Sequence, residues 1–211
     1  MASIEEIKLS DDEQFVTLII DDGKRIKMST YDWYGIPFGH KTGPVEDSLY
    51  SQLLRLEECS KAKQKLLSLL SYSGNSRKGF GDKLKRYGFS EESIEYALDF
   101  AEEQKLIDDK EYAEALAYEL VEVKLYGPMR VRQEMFRHGV EKEIGDNAIQ
   151  KYFQRDPDGL CTFDRNMHKS AVAKAKGFDL TDQKQREKLF AALNRAGYEF
   201  SRIAKLRFNK K

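Results

Sequence analysis

The chain of 211 residues carries 36 Lys+Arg against 36 Asp+Glu, so overall charge gives no argument for a nucleic-acid-binding protein. Hydrophobic residues make up 40% and charged residues 34%, a balance that suits thin helical structure with much exposed surface. No run of about 18 apolar residues occurs and the start, MASIEEIKLS, is not signal-like, so a soluble, cytoplasmic chain without a membrane partner is expected.

In chain order, EQFVTLIIDDGKRIKM holds two apolar, β-branched runs around Asp22-Gly23, which predicts a β-hairpin within residues 4–28. Because a two-stranded hairpin is marginal alone, it is expected to pack on the helix that follows. GIPFGHKTGP (35–44) reads as a loop, and from Val45 the pattern is helical. Cys59 and Cys161 are far apart, and His40, His138 and His168 are scattered, so no metal site is expected. The sequence offers no phosphate-cradling glycine loop and no Ser/His/Asp constellation, so neither catalytic residues nor a cofactor are expected.

The helical part contains a repeat. GFGDKLKRYGF, RVRQEMFRHGV and KLFAALNRAGY align on Gly88, Gly139 and Gly197. Eight residues before each glycine stand Phe80, Val131 and Leu189; four before stand Leu84, Met135 and Leu193. That spacing makes one buried helical stripe. The glycines fit left-handed helix ends, and Phe89, Val140 and Tyr198 follow them to pack back on the last turn. Two residues before each glycine is an arginine, Arg86, Arg137 or Arg195, placed either to meet the negative end of a helix dipole or to face a partner.

Around these glycines the pattern predicts three units of long, short and long helix. In the first, a helix from Ser60 to about Tyr72 precedes the glycine and one from Ser90 follows it. In the second, Asp108 with Glu111 starts a helix running toward Tyr126, Pro128 opens a short one, and Ile144, Ala148 and Ile149 mark a third. The last unit holds helices around Met167–Lys176, Gln185–Arg195 and Phe200–Phe208. The expected domains are 1–59 (hairpin and linking helix), 60–107, 108–155 and 156–211, a mainly α, elongated and curved array.

LIDDKEYAEALAYE followed by GPMRVRQEMFRHGV resembles the central unit of the RecX family, whose second pattern is matched by Gly127, Pro128, Arg130, Val131, Glu134, Met135, Gly139 and Val140. Residues 60–208 fit the family's three repeats. The resemblance implies a non-enzymatic regulator that binds RecA and the RecA–DNA filament and inhibits strand exchange and ATP hydrolysis, in recombination and DNA repair. The first unit departs from the family pattern at Ser76-Arg77-Lys78-Gly79-Phe80, where the capping-box partner is missing and Gly81 follows. A weaker short helix with an irregular start is expected there.

Charge is blocked along the chain: residues 1–60 carry −6 (6−12), 61–90 +7 (8−1), 91–122 −10 (2−12), 123–164 0 (7−7) and 165–211 +9 (13−4). Such blocks suit either a polyelectrolyte partner or packing against one another. At about 100° per residue, Arg137 lies near Arg130 on the short helix, off the apolar stripe, while Arg132 stands apart. Expected partner-binding residues are Arg130, Arg132 and Arg137, with Lys83 and Arg86 in the first unit and Arg195, Arg202, Lys205 and Arg207 in the third. A monomer is expected. Direct, weak, non-specific DNA binding, or a helical scaffold for another protein, are the alternatives.

Overall fold

Asp22-Gly23 makes the turn that its sequence predicts, with Gly23 at φ 80°, joining β2 (Phe15–Ile20) to β3 (Arg25–Ser29). In a computed structural model describing residues 2–37 and 40–206, the two strands pair Val16 with Met28 and Leu18 with Ile26. The sheet exceeds the predicted hairpin. β1 (Ala2–Leu9) and β4 (Gly43–Val45) complete a four-stranded antiparallel sheet of order β3-β2-β1-β4. A register shift between Ile4 and Glu6 breaks the alternation in β1, and β4 is too short to show any. One face buries Val16, Leu18, Ile20, Ile26 and Met28 against Trp33 of α1 (Thr30–Gly35) and Leu53 of α2 (Asp47–Leu70).

The expected boundary at 59/60 falls inside α2, which is one continuous helix. Its first half covers the sheet through Leu53, while Ala62 and Leu66 pack with α3 (Arg77–Arg86) and α4 (Glu91–Glu103). The Tyr96 hydroxyl of α4 donates to the buried Asp32 carboxylate at the start of α1, tying helix to sheet. Burial, reinforced by that carboxylate, pushes the Tyr96 phenol well up.

α3 is regular from its first residue, contrary to the expected irregular start. Ser76 caps it by accepting from the Gly79 N–H at 3.0 Å. Arg77 then reaches Glu95, Asp99 and Glu102 on α4 at 2.5, 2.8 and 2.7 Å. Asn75 Oδ1 accepts from the Ser76 N–H at 3.0 Å, the bond that the missing capping-box glutamate would have made, and the Arg77 ion pairs tie the helix start to α4. They also join the basic block 61–90 to the acidic block 91–122.

Residues of a first compact unit end at Ile107, and a second begins at Asp108. In the second, Asp108 caps α5 (Asp109–Tyr118) by accepting from the Lys110 and Glu111 N–H groups. α5 widens into a π-helical turn over Glu119–Val123, where the Val121 carbonyl accepts from Asn166 Nδ2 at 2.8 Å. Then come α6 (Pro128–Arg137), α7 (Lys142–Gln150), a 3₁₀ turn at Lys151–Phe153, α8 (Thr162–Lys174), α9 (Gln183–Arg195) and α10 (Phe200–Ile203). The expected long third helices are short here: α7 has nine residues and α10 four. Residues 207 and 208 of the predicted last helix lie outside the described residues.

The three repeat glycines adopt one geometry. Gly88, Gly139 and Gly197 have φ of 86°, 75° and 93°. The residue after each donates its N–H to the carbonyl of the residue four before the glycine: Phe89 to Leu84, Val140 to Met135, Tyr198 to Leu193. This closes each helix with its apolar stripe turned inward, burying Phe80, Leu84, Val131, Met135, Leu189 and Leu193.

Candidate functional site

Gly127-Pro128-Met129-Arg130 meets the end of α9. The Gly127 N–H donates to the Ala196 carbonyl at 2.7 Å and the Met129 N–H to the Gly197 carbonyl at 3.2 Å. Tyr198, fully buried, donates its hydroxyl to the Leu125 carbonyl at 2.9 Å. Two backbones cross here with no space between them. A Cβ on Gly127 would lie 2.4 Å from the Gly197 carbonyl carbon and oxygen, and one on Gly197 would lie 2.4 Å from Arg130 N and Cβ. Two amides at the start of α6, a place where helical donors have no partner of their own, thus serve two carbonyls at the end of α9, where acceptors have none.

Arg130 completes this clasp. Its Nη1 donates to the Arg195 carbonyl at 3.2 Å, its Nε lies 3.5 Å from Glu134, and its guanidinium stacks 4.2 Å from the Tyr126 ring centroid. Arg130, expected as a partner-binding residue, therefore has an architectural role. Arg132 pairs with Asp146 of α7 at 2.7 Å, and Arg137 with Glu134 at 3.4 Å. Arg202 donates to Asp164 at 2.9 Å and to the Cys161 sulfur at 3.6 Å. Burial alone would raise the Asp164 carboxyl, but the Cys161 thiol and the Arg202 guanidinium outweigh it and hold it below the ordinary value. Lys83 lies over the Phe80 ring at 5.3 Å. Arg86, Arg195 and Lys205 are exposed, and their side chains have no acidic partner among the described residues; Arg207 lies outside them.

Of the predicted residues, Arg130 and Arg195 come together. They line a cleft of about 300 Å³ with Lys124, Lys174 and Ser170. Lys124 pairs with Glu119 at 2.7 Å, whereas Lys174 and Arg195 have no acidic partner among the described residues. Ser170 is largely buried and lines the cleft. Four cations and a hydroxyl around one opening suit an oxyanion such as a phosphate. Lys124, Lys174 and Ser170 were missed from sequence. Ser170 and Lys174 reach Arg195 because α8 packs on α9 through Met167, Ala171, Leu189 and Leu193, and Lys124 joins them because the Asn166–Val121 bond holds the end of the π-helical turn against α8.

The chain is similar to known proteins along most of its length. Residues 108–149 match the family model described as RecX, second three-helix domain. A protein named Regulatory protein RecX from Caldanaerobacter subterraneus subsp. tengcongensis is 28% identical over 189 residues, covering 87% of this chain and 85% of that one. Another of that name from Prosthecochloris aestuarii is 30% identical over 144 residues, covering 68% and 89%. The fold matches a solved structure titled Crystal structure of regulatory protein RecX, with a TM-score of 0.76 at 20% identity over 97% of this chain and 98% of that one.

Two predictions test these contacts. Gly88→Ala, at φ 86° but with nothing within 4 Å of the added Cβ, should cost only about 1 kcal/mol in urea unfolding. Gly197→Ala adds a backbone clash to the same strain and should cost at least about 3 kcal/mol; equal losses would show that the crossing is loose. Because the Asp164 pKa is depressed on folding, its contribution is present above the unfolded value near 3.8 and is lost as pH falls through the lower folded one. Arg202→Gln should accordingly cost about 1–2 kcal/mol at pH 7, and the gap to wild type should close below about pH 4.

Proposed function

The chain belongs to the RecX family of regulatory proteins, and from this we propose that it binds RecA and the RecA–DNA filament and inhibits the recombinase and its ATPase. In this reading it is a non-enzymatic regulator of homologous recombination and repair, its helical repeats serving as a docking surface. The observation that carries the docking mode is the cleft of Lys124, Arg130, Lys174 and Arg195, where two cations lack an internal counter-charge. Uncompensated cations around a concave site attract phosphates, and their effect fades with salt. Arg132, Arg137 and Arg202 are each engaged with a carboxylate and contribute less net charge to a partner.

The cleft refines the expected docking face. Reversing Arg130 would break the clasp, so loss of binding in such a variant would not report on docking. Lys174→Glu with Arg195→Glu leaves the clasp's backbone bonds in place. That double variant should keep its helicity and melting temperature while binding RecA filaments on single-stranded DNA at least ~10-fold more weakly, with a shallower salt dependence. Unchanged filament affinity would remove the cleft from the docking surface. Wild-type protein that neither bound RecA filaments nor slowed their ATP hydrolysis would overturn the functional reading itself.

A further inference from the structure

The repeat continues past its glycines. Nine residues on, Ala97 and Ala148 are both buried; ten residues on, Leu98 and Ile149 are too. The register of α7 against α6 is therefore that of α4 against α3. Six residues after the glycine, the first and third repeats bury an isoleucine, Ile94 and Ile203, in contact clusters with Leu84 and Leu193 respectively. The central repeat has Gly145 in that place, facing Met135 and Val140.

The consequence is an apolar groove of about 210 Å³ walled by Met135, Phe136, Val140 and Gly145. Its edge differs from the sister repeats in the same sense. Phe136, 73% exposed, stands where they have Lys85 and Asn194. Met129, 56% exposed and two turns away on α6, stands where they have Lys78 and Glu187. A repeat that only had to fold would fill the groove and keep these outer positions polar, as its sisters do. On the rim, Arg132 and Asp146 neutralise each other, but Glu141 and Lys142 are exposed and have no ion-pair partner among the described residues.

We propose that this groove is a socket for one aliphatic side chain of RecA, of isoleucine or leucine size, flanked on its own chain by one basic and one acidic residue. The anchor fills the space that Ile94 and Ile203 fill from within their own repeats. The flanking charges meet Glu141 and Lys142. The inference rests on the functional reading above for its partner, and on the repeat comparison for its place and chemistry. It accounts for an apolar exposed edge that the sister repeats do not carry.

Gly145→Ile tests it by supplying the anchor from within. The added Cβ would meet Met135 Sδ at 3.1 Å and Val140 Cγ1 at 3.6 Å, contacts that a flexible thioether can relieve. Isoleucine also favours helix over glycine, so α7 should be retained. Full-length wild type, Gly145→Ile and Phe136→Lys would be titrated onto RecA filaments assembled on oligo-dT with a non-hydrolysable ATP analogue. Both variants should bind ~10- to 100-fold more weakly, the scale of losing one buried aliphatic anchor. The loss should persist at ~0.5 M salt, where a purely ionic contact would already be screened. If wild type binds and Phe136→Lys and a folded Gly145→Ile bind as well as it does, the socket is wrong and the regulator reading stands. Should Gly145→Ile misfold, Phe136→Lys at the exposed rim decides alone. Wild type that fails to bind overturns both.

Discussion

The second unit depends on a place where two backbones touch. Gly127 and Gly197 face each other so closely that a methyl group on either would overlap main-chain atoms of the other segment. This closeness is what lets the Gly127 and Met129 amides reach the Ala196 and Gly197 carbonyls. Arg130 follows from it: with the backbones this near, its guanidinium reaches the Arg195 carbonyl while stacked on Tyr126. The Gly-Pro-x-Arg motif is thus a joint between the start of one helix and the end of another. Its glycine provides clearance, its proline begins α6 where its missing N–H costs nothing, and its arginine caps α9.

Folding also sets where charge is left over. Arg77 draws three carboxylates of α4 onto α3 and Lys85 meets Glu91, so part of the basic block 61–90 is answered by the acidic block beside it. The C-terminal block is answered less. Arg165 and Arg202 find aspartates, but Lys174 and Arg195 are held at the rim of the clasp with no acid in reach among the described residues. Folding therefore concentrates a cationic cleft that a neutral composition does not suggest. Packing of one block against another accounts for the Arg77 cluster, while the cleft is the part that the proposed function assigns to a partner.

The repeat was legible because its physics is local. An apolar stripe, a left-handed glycine and an apolar residue packing back onto the last turn all lie within one short stretch, and Phe80, Val131 and Leu189 are buried as their spacing requires. The hairpin was legible for the same reason, through Asp22-Gly23. β1 and β4 were not, since one is bulged beside Glu5-Glu6 and the other is three residues long. The regular start of α3 also escaped sequence reasoning, because part of its support comes from Glu95, Asp99 and Glu102 on another helix. At the site, Arg130 and Arg195 could be named but not their roles. Arg130's acceptor is a main-chain carbonyl 65 residues away, which side-chain patterns do not encode. Gly145 is legible in the sequence as the one glycine six residues after the repeat glycines, where the sister repeats have Ile94 and Ile203.

Amide hydrogen exchange at Gly127 and Met129 tests the clasp most directly. First-turn amides of a helix usually exchange quickly, for want of an intrahelical acceptor. Here both should be protected to about the level of the Leu193 amide within α9, opening only when the unit itself opens. Exchange at the rate of uncovered helix-start amides would contradict the account, for then α6 and α9 would not be joined through their backbones.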